Sequence, residues 1–408
     1  MIDVPRSWPE LTPTWMTAAL ARSFPGVEVA AVALDDVVEG TNSRARIALR
    51  YAAASGPGPE RVFVKRQGRL LHRLALIALR ALGSEAQLFQ SGIELPLEHA
   101  QSYAASFDHL RQTTIVVLED VTIRGGRPNG VATPLSVAQA RSGLEGLARL
   151  HAAYWQRPLP AELRFIRPWR LGRAWAPISR ANLARGLRRL RSEGAGELVP
   201  HGADAGLLER QFRASARLAA MGPQTILHGD PHACNTYALP SASSALPGAT
   251  AKPPGTTSTP PGATAKPPGT TSTPPRTTST PPRTTSALPG ALVGFYDWQL
   301  VRLGNWAHDV GYFLVSSLDI ADRRRHEREL LQGYLEALGA NGGAPPSFQA
   351  AWESYRSTPA FGLCTWLHTF AVASFQPDTV CLPTIARFAA AYEDLQTRAA
   401  PGLAGLIG

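Results

Sequence analysis

The sequence has few cysteines, and their spacing limits the class of protein. Cys234, Cys364 and Cys381 are its only cysteines, and they form no CxxC pair and no metal-ligand spacing. This argues against a disulfide framework and is typical of a protein kept in a reducing compartment. We therefore expect a cytoplasmic protein.

Long hydrophobic runs are also missing. The longest lies near residues 70–82, where a histidine and two arginines interrupt it, so it is too short and too charged to cross a bilayer. Residues 1–10 are polar and contain Asp3 and Glu10, which predicts no signal peptide. We expect no membrane partner.

Lysine is nearly absent, so the net charge of +10 comes overwhelmingly from arginine. A basic balance can indicate an anionic ligand, a membrane or nucleic acid. The arginines are scattered, and no basic run interleaved with aromatics occurs, so we predict solvated helix faces and no nucleic-acid partner.

The 408 residues, 44% of them hydrophobic, suit two lobes with a sizeable core. Alternating and β-branched residues predict five strands in the first part of the chain, with a long helix after the third strand. The strands are predicted at residues 27–38, 43–51, 61–66, 100–107 and 113–118, and helices at 13–23 and 70–91. This describes a small α+β lobe.

The pattern from residue 134 onward is mainly helical. Amphipathic stretches predict helices at residues 136–154, 180–192, 203–221 and 323–338, interrupted by short strand-like pieces at 225–228 and 292–296. The fold class is α+β, with a five-stranded antiparallel N-lobe at residues 1–120 and a mainly helical C-lobe at residues 121–239 and 291–408.

Residues 240–290 have a different composition. They repeat Ala-Thr-Ala-Lys-Pro-Pro-Gly-Thr-Thr-Ser-Thr-Pro-Pro and contain no aromatic or acidic residue. Such a segment buries too little surface to offset the entropy of ordering, so we predict a disordered Pro/Thr-rich insertion at a hairpin turn. Its Pro-x-x-Pro-like spacing leaves docking of a protein partner as an alternative to an inert repeat expansion.

The strongest motif is residues 228–235, His-Gly-Asp-Pro-His-Ala-Cys-Asn, followed after the insertion by Phe-Tyr-Asp-Trp-Gln at 295–299. Phosphoryl transfer to a hydroxyl needs a carboxylate to orient the hydroxyl and ligands for Mg²⁺ that neutralise the phosphates. Asp230 fits the first role. Asn235 on the same loop and Asp297 at a strand end supply the oxygen ligands that Mg²⁺ prefers.

These blocks resemble the aminoglycoside phosphotransferase and choline kinase superfamily, marked by His-Gly-Asp-x-x-x-x-Asn and a later Asp-Trp-like strand end. Residues 147–155, Leu-Ala-Arg-Leu-His-Ala-Ala-Tyr-Trp, and 297–299 are most similar to the ecdysteroid kinase-like (CHK kinase-like) branch. The resemblance covers roughly residues 30–385 without the insertion and implies a protein-kinase-like fold. It implies that Asp230 is the catalytic base and that Asn235 and Asp297 hold Mg²⁺.

Lys65 is the only lysine outside the insertion. It ends the third predicted strand, where kinases place the lysine that contacts the α- and β-phosphates of ATP. The resemblance implies that Glu85, some twenty residues on, pairs with it. A strand-end lysine that reaches into solvent is the alternative for Lys65 alone.

Further nucleotide contacts follow from position in the fold. Gly40, Thr41, Asn42 and Ser43 fall where a phosphate-covering loop belongs, although a bare turn is the alternative. The resemblance places the adenine-binding hinge at Leu118 and Glu119, followed by Asp120, with the main chain as the contacting part.

Supporting and acceptor residues are less specific. Asp309 matches the family's later aspartate that supports the catalytic loop, while His151 and His228 read as packing residues. Trp155, Tyr312 and Trp366 are aromatic candidates for the acceptor wall, with core packing as the alternative. The many arginines disfavour a polycationic acceptor and leave an uncharged polyol, a sterol-like alcohol or a macrolide open.

The predicted function is transfer of the γ-phosphate of ATP to a hydroxyl of a small molecule, with ATP and Mg²⁺ as cofactors. One alternative is an inactive nucleotide-binding pseudokinase or scaffold that uses the Pro-rich insertion. Another is a metal hydrolase with His228, Asp230 and His232 as alternating ligands. A protein kinase is disfavoured, since the chain has no His-Arg-Asp, Asp-Phe-Gly or Ala-Pro-Glu motif.

Overall fold

A computed structural model describes residues 2–39, 42–68, 81–168, 175–240, 292–373 and 375–407. Its first part is a five-stranded antiparallel sheet with the order β1-β2-β3-β5-β4. The strands are β1 (Val29–Glu39), β2 (Asn42–Tyr51), β3 (Arg61–Gln67), β4 (Ser102–Asp108) and β5 (Thr113–Glu119). All five lie within two residues of the predicted bounds, because alternation of buried and exposed positions is strong in this lobe.

Each face of the sheet has its own core. Ile47, Val62 and Val64 point to one face and pack with helix α1 (Pro13–Leu20), where Met16 and Leu20 are fully buried. Phe63, Val116 and Leu118 point to the other face, toward helix α2 (Ser84–Gln90). Lys65 follows Phe63 at the strand period of two and therefore lies on this second face.

The helix predicted over residues 70–91 falls partly outside the described residues. Within them, α2 begins after Gly83, which has a φ of +79°. A side chain at Gly83 would come within 2.7 Å of the Phe107 ring, so glycine is needed here for both conformation and space. The turn at Gly83 orients the first turn of α2, which contains Glu85.

The rest of the chain is mainly helical, as predicted. Ser136 and Gln139 form a capping box that begins α3, and buried leucines along its length join a single large core. The helices are α3 (Val137–Ala153), α4 (Ala176–Ser192), α5 (Ala205–Ala219), α6 (Ala307–Ser317), α7 (Ile320–Ala340), α8 (Phe348–Arg356), α9 (Pro359–Phe370), α10 (Asp378–Asp394) and α11 (Pro401–Ile407). The architecture is the predicted α+β class, with a five-stranded antiparallel sheet in the first part and a mainly helical second part.

Short strands flank the two loops that contain Asp230 and Asp297. β7 (Gln224–Leu227) pairs with β10 (Arg302–Asn305), and β8 (Thr236–Leu239) lies between β6 (Arg127–Pro128) and β9 (Leu292–Phe295). The sequence predicted β7 and β9 only. Four-residue and two-residue strands whose pairing is long-range leave too short a pattern to find β6, β8 and β10.

The predicted disordered insertion, residues 240–290, lies almost wholly outside the described residues. The residues that flank it, Leu239 and Leu292, are paired in the antiparallel β8–β9 ladder. The segment is therefore inserted at a hairpin turn, as predicted. The bounds of the lobes at residues 120 and 121 stay a prediction.

In the part of the chain that the structure describes, every helix is too short or too polar to cross a lipid bilayer.

Candidate active site

Lys65 lies at the centre of an ion-pair cluster between the two lobes. Its Nζ is 2.6 Å from Oε2 of Glu85 on α2 and 2.8 Å from Oδ1 of Asp297 after β9. The side chains of Lys65 and Glu85 are almost fully buried, whereas that of Asp297 is 24% exposed. The structure thus brings together three of the predicted residues from three separate stretches, and Asp297 is the one that meets solvent.

Lys65 and Asp297 stabilise each other's charge, whereas burial, the largest effect on Glu85, raises the pKa of the Glu85 carboxyl group. Burial alone would raise the pKa of Asp297, but Lys65 and Arg44 outweigh burial and lower it to about 2. Burial would likewise lower the pKa of Lys65, and the two carboxylates raise it instead. Lys65 and Asp297 are both charged at neutral pH, because the opposite charge of each offsets the hydration that the other loses on burial.

Asp297 has an unusual backbone conformation. Its φ is +67° and its ψ is +63°, the left-handed region that a non-glycine residue enters at a cost of about 1 kcal/mol or more. The next residue, Trp298, donates its backbone N–H to Oε1 of Glu85 at 3.1 Å. The hydrogen bond from Trp298 to Glu85 connects this strained turn to α2. The Asp297 carboxylate thereby faces the cleft.

Asp309 on α6 organises the loop that carries Asp230. Its fully buried carboxylate accepts the backbone N–H groups of His228 at 2.7 Å and Gly229 at 2.9 Å, and the ring Nε2 of His151 lies 3.3 Å away. The prediction that Asp309 supports this loop is confirmed. His151 is a buried packing residue, since its Nδ1 is also 2.8 Å from the hydroxyl of Tyr334.

Asn235 closes the same loop. Its side-chain N–H₂ donates to the backbone carbonyl of Asp230 at 2.9 Å and to the Asp230 carboxylate at 3.3 Å. The amide oxygen of Asn235 therefore points away from Asp230 and can coordinate a cation. The backbone carbonyl of Asn235 accepts the N–H of Tyr296 at 3.0 Å, which places the loop beside the residue that precedes Asp297.

His228 connects the loop that contains Asp230 with the loop that contains Asp297. Its ring is fully buried, and Nε2 is 3.1 Å from the backbone carbonyl of Tyr296. Burial lowers its pKa, although Asp309 and Asp230 act in the opposite direction. His228 is therefore a buried, structural residue that supports the loop through its hydrogen bond to the Tyr296 carbonyl, as predicted.

Three further residues lie near Asp230, and of these only Arg302 was not considered from the sequence. His232 Nε2 is 3.6 Å from the Asp230 carboxylate, and the buried Tyr312 hydroxyl lies next to it. Burial, with the negative charge of Asp230, raises the pKa of Tyr312 well above its usual value. Arg302 donates to the carbonyls of Leu300 at 2.9 Å and Gly229 at 3.5 Å. His232 lies in the same motif as Asp230, whereas Tyr312 and Arg302 have no local pattern, because α6 and β10 bring them in from a distance.

A cavity of about 270 Å³ opens above this cluster, between the sheet and the C-lobe. Lys65, Asp297, Tyr296, Leu118 and Glu119 are among the residues that line it. The predicted hinge is therefore on the wall of the same cavity as the lysine and the second aspartate. The Glu119 side chain is paired with Arg124 at 2.7 Å, and its backbone N–H donates to the carbonyl of Gln101 at 2.9 Å.

The predicted phosphate-covering loop is described in part. Gly40 and Thr41 lie outside the described residues, while Ser43 is a buried residue of β2. Asn42 donates its side-chain N–H to the amide oxygen of Gln299 at 2.5 Å, two residues beyond Asp297. The end of the β1–β2 hairpin thus contacts the C-lobe at the edge of the site.

The metal-hydrolase alternative is not supported by this geometry. His228, Asp230 and His232 all lie in the described ranges, and within those ranges no three His, Cys, Asp or Glu side chains form a group that could hold a metal. His228 instead bonds the Tyr296 carbonyl. Trp155, Tyr312 and Trp366, the candidates for the acceptor wall, are all buried in the C-lobe core, which fits the core-packing alternative. The rings of Tyr312 and Trp366 also lie beside His232.

Gly229 provides a stability test of the loop. Its φ is +85°, and a Cβ there would collide with the backbone carbonyl of Leu300. Gly229→Ala should lower the free energy of unfolding by about 3 kcal/mol, the sum of a left-handed conformation and an overpacked contact. The measurement is urea unfolding.

Gly194→Ala is the matched control, because Gly194 has a φ of +74° and nothing within 4 Å of a Cβ. It should cost only about 1 kcal/mol. Equal losses in the two variants would show that the contact with Leu300 does not constrain the loop.

Comparison with solved structures finds small-molecule kinases. A choline kinase from Cryptosporidium parvum is 11% identical with a TM-score of 0.47, the alignment covering 98% of this chain and 97% of that one. An aminoglycoside-3'-phosphotransferase of type VIII is 19% identical with a TM-score of 0.39, covering 84% and 97%. An amicoumacin kinase in complex with AMP-PNP and Ca²⁺ is 10% identical with a TM-score of 0.44, covering 95% and 93%.

One protein family, DUF1679, described as "Uncharacterized oxidoreductase dhs-27", matches residues 291–375. This family is ecdysteroid-kinase-like, the branch that the motifs resemble, and the match includes Asp297 and Asp309. A comparison with curated protein sequences found no match. Other solved structures similar to this chain include an aminopropanol kinase, which is 13% identical with a TM-score of 0.44.

Proposed function

We propose that this protein is an ATP-dependent phosphotransferase that moves the γ-phosphate to a hydroxyl of a small molecule. The observation that carries the proposal is the cluster in which Lys65 bridges Glu85 and Asp297 on the wall of the interlobe cavity. A buried lysine with a fixed position and an adjacent, partly exposed carboxylate suits a triphosphate and its cation.

The residues fit Mg²⁺. The amide oxygen of Asn235 is turned away from its hydrogen bonds to Asp230, and Asp297 keeps its carboxylate charged with a pKa of about 2. Mg²⁺ binds through one or two protein oxygens plus phosphates and waters, so no complete protein cage is required. When bound, it would neutralise charge on the phosphates.

The proposed step uses this chain's groups for orientation and charge. Lys65 would contact the α- and β-phosphates, and the adenine would lie at the main chain of Leu118 and Glu119. Asp230 would accept the proton of the substrate hydroxyl while the oxygen of that hydroxyl forms a bond to the γ-phosphorus. The bond from that phosphorus to the β–γ bridging oxygen breaks, and ADP leaves.

A screen for acceptor-dependent ADP release tests the proposal. Purified protein, MgATP and pools of neutral hydroxylated molecules should give ADP release that Asp297→Asn abolishes. A pseudokinase or scaffold would bind ATP and release no ADP with any acceptor. Release that persists in Asp297→Asn would assign the activity to a contaminant.

A further inference from the structure

Three of the described residues that line the interlobe cavity carry a positive charge, namely Arg44, Arg46 and Lys65. The residues that alternate with the two arginines along β2 are buried in the core on the other face of the sheet. The arginines therefore lie on the same face as Lys65. In the β2–β3 ladder Arg44 is directly opposite Lys65, whereas Arg46 is opposite Phe63. Arg44 is thus the cation next to the lysine that would meet the phosphates.

Two of these three cations are already paired within the protein. Lys65 contacts two carboxylates, and Arg46 lies 3.4 Å from the carboxylate of Asp36 and 3.6 Å from that of Asp120. Arg44 forms no ion pair with any carboxylate of the residues that the structure describes. A positively charged side chain therefore lines the cavity without a direct counter-ion.

The other carboxylates of the cavity wall are paired elsewhere. Glu119 lies 2.7 Å from Arg124, and Asp297 lies 2.8 Å from Lys65. The charge of Arg44 nevertheless reaches Asp297, since it helps to lower the pKa of that carboxyl group. The guanidinium group of Arg44 is therefore near Asp297, at the part of the cavity where the phosphates and their cation are proposed to bind.

The position of Arg44 opposite Lys65 is unfavourable in the absence of an anion. Like charges that are directly opposite each other in an antiparallel pair of strands are destabilising. Arg44 is half-buried, so water screens the repulsion between the two side chains only in part. An anion that contacts both side chains would replace this repulsion by two favourable interactions. The arrangement therefore favours a ligand with several negative charges, such as the phosphate chain of a nucleotide.

Arginine and lysine bind phosphate in different ways. A guanidinium group donates two parallel N–H bonds to one phosphate, whereas the ammonium group of lysine acts as a point charge. Lys65 is in addition held by Glu85 and Asp297. Arg44 would therefore supply the directional contacts with the phosphate chain, and Lys65 a fixed positive charge on its other side.

We propose that Arg44 is a second phosphate-binding residue of the interlobe cavity, which contacts the phosphate chain of the nucleotide opposite Lys65. The inference rests on the proposed function and adds to it a determinant of nucleotide affinity that lies outside the sequence motifs. Arg44 acts on the phosphates alone, because the hinge at Leu118 and Glu119 is proposed to bind the adenine.

The test measures binding of AMP-PNP, ADP and adenosine to the full chain by isothermal titration calorimetry in the presence of Mg²⁺. Arg44→Gln should weaken binding of AMP-PNP and ADP about 10- to 100-fold, the range for loss of a hydrogen bond to a charged group, and leave adenosine binding unchanged. Arg44→Lys should lose less affinity, because it keeps the charge without the two parallel bonds. Added KCl should weaken AMP-PNP binding more steeply in the unmodified chain than in Arg44→Gln.

Arg50→Gln is the matched control, because Arg50 is an exposed arginine on the same face of β2 and does not line the cavity. It should bind all three ligands as the unmodified chain does, and urea unfolding checks that both variants fold. Two results would overturn the assignment of Arg44 and leave the proposed function in place. One is equal affinity of Arg44→Gln and Arg50→Gln for AMP-PNP, and the other is an equal loss of affinity for AMP-PNP and adenosine in Arg44→Gln. Absence of AMP-PNP binding by the unmodified chain would overturn both.

Discussion

Replacing Asp230 with asparagine is expected to lower kcat for phosphoryl transfer by about 10²–10⁴-fold, the range for loss of a positioned general base. Asparagine keeps the shape of the side chain and its bond from Asn235, but it cannot take the hydroxyl proton. Affinity for AMP-PNP should not change, since Asp230 is not among the residues that line the interlobe cavity. The measurements are steady-state kinetics with an identified acceptor and nucleotide titration.

Asp3→Asn is the control, because Asp3 is an exposed aspartate in the N-terminal segment. It should leave both quantities unchanged. If Asp230→Asn retained kcat within threefold, Asp230 could not be the group that receives the proton. If it lost nucleotide affinity and kcat together, the substitution would have disturbed the loop and not the proton transfer alone.

Lys65→Met is expected to have two separable effects. Activity should fall by about 10²–10³-fold, the usual consequence of removing one preorganised charge from a transition state. Stability should fall by about 3 kcal/mol near pH 8, because the buried Glu85 and the adjacent Asp297 then face each other without a cation.

The pH dependence of that stability loss follows from the sign of the pKa change. Without Lys65, the two carboxyl groups repel, so their folded-state pKa values rise above the unfolded values. Their protonation stabilises the folded state at low pH, and the loss grows as pH rises through the raised pKa values. Urea unfolding at pH 5 and pH 8 should show the larger defect at pH 8.

The double variant Lys65→Met/Glu85→Gln separates structure from function. It removes one of the two negative charges, so most of the lost stability should return while activity stays low. Recovery of activity with stability would mean that Lys65 only maintains the fold. An equal stability defect at both pH values would contradict the ion-pair account.

The sequence predicted most of the fold because the N-lobe strands carry a clear period of two and the C-lobe helices a clear amphipathic period. Lys65 and Asp230 were found from motif and scarcity, and the structure places the first beside Glu85 and Asp297. The chemical roles of Lys65 and Asp230 stay predictions.

What the sequence did not show depends on long-range contacts. Arg302 and Tyr312 reach the Asp230 loop only because β10 pairs with β7 and α6 packs against it. The bond from Asn42 to Gln299 joins residues from the two lobes, far apart along the chain. The left-handed backbone of Asp297 has no local signal, because aspartate at that position is also compatible with an ordinary turn.

The proposed cation site consists of Asn235 and Asp297 together with the phosphates of the nucleotide. Electron paramagnetic resonance of Mn²⁺, used in place of Mg²⁺, measures this directly. We expect the protein to take up one Mn²⁺ when AMP-PNP is present, and Asp297→Asn to remove this uptake although AMP-PNP still binds. Equal Mn²⁺ uptake by Asp297→Asn and the unmodified chain would contradict it.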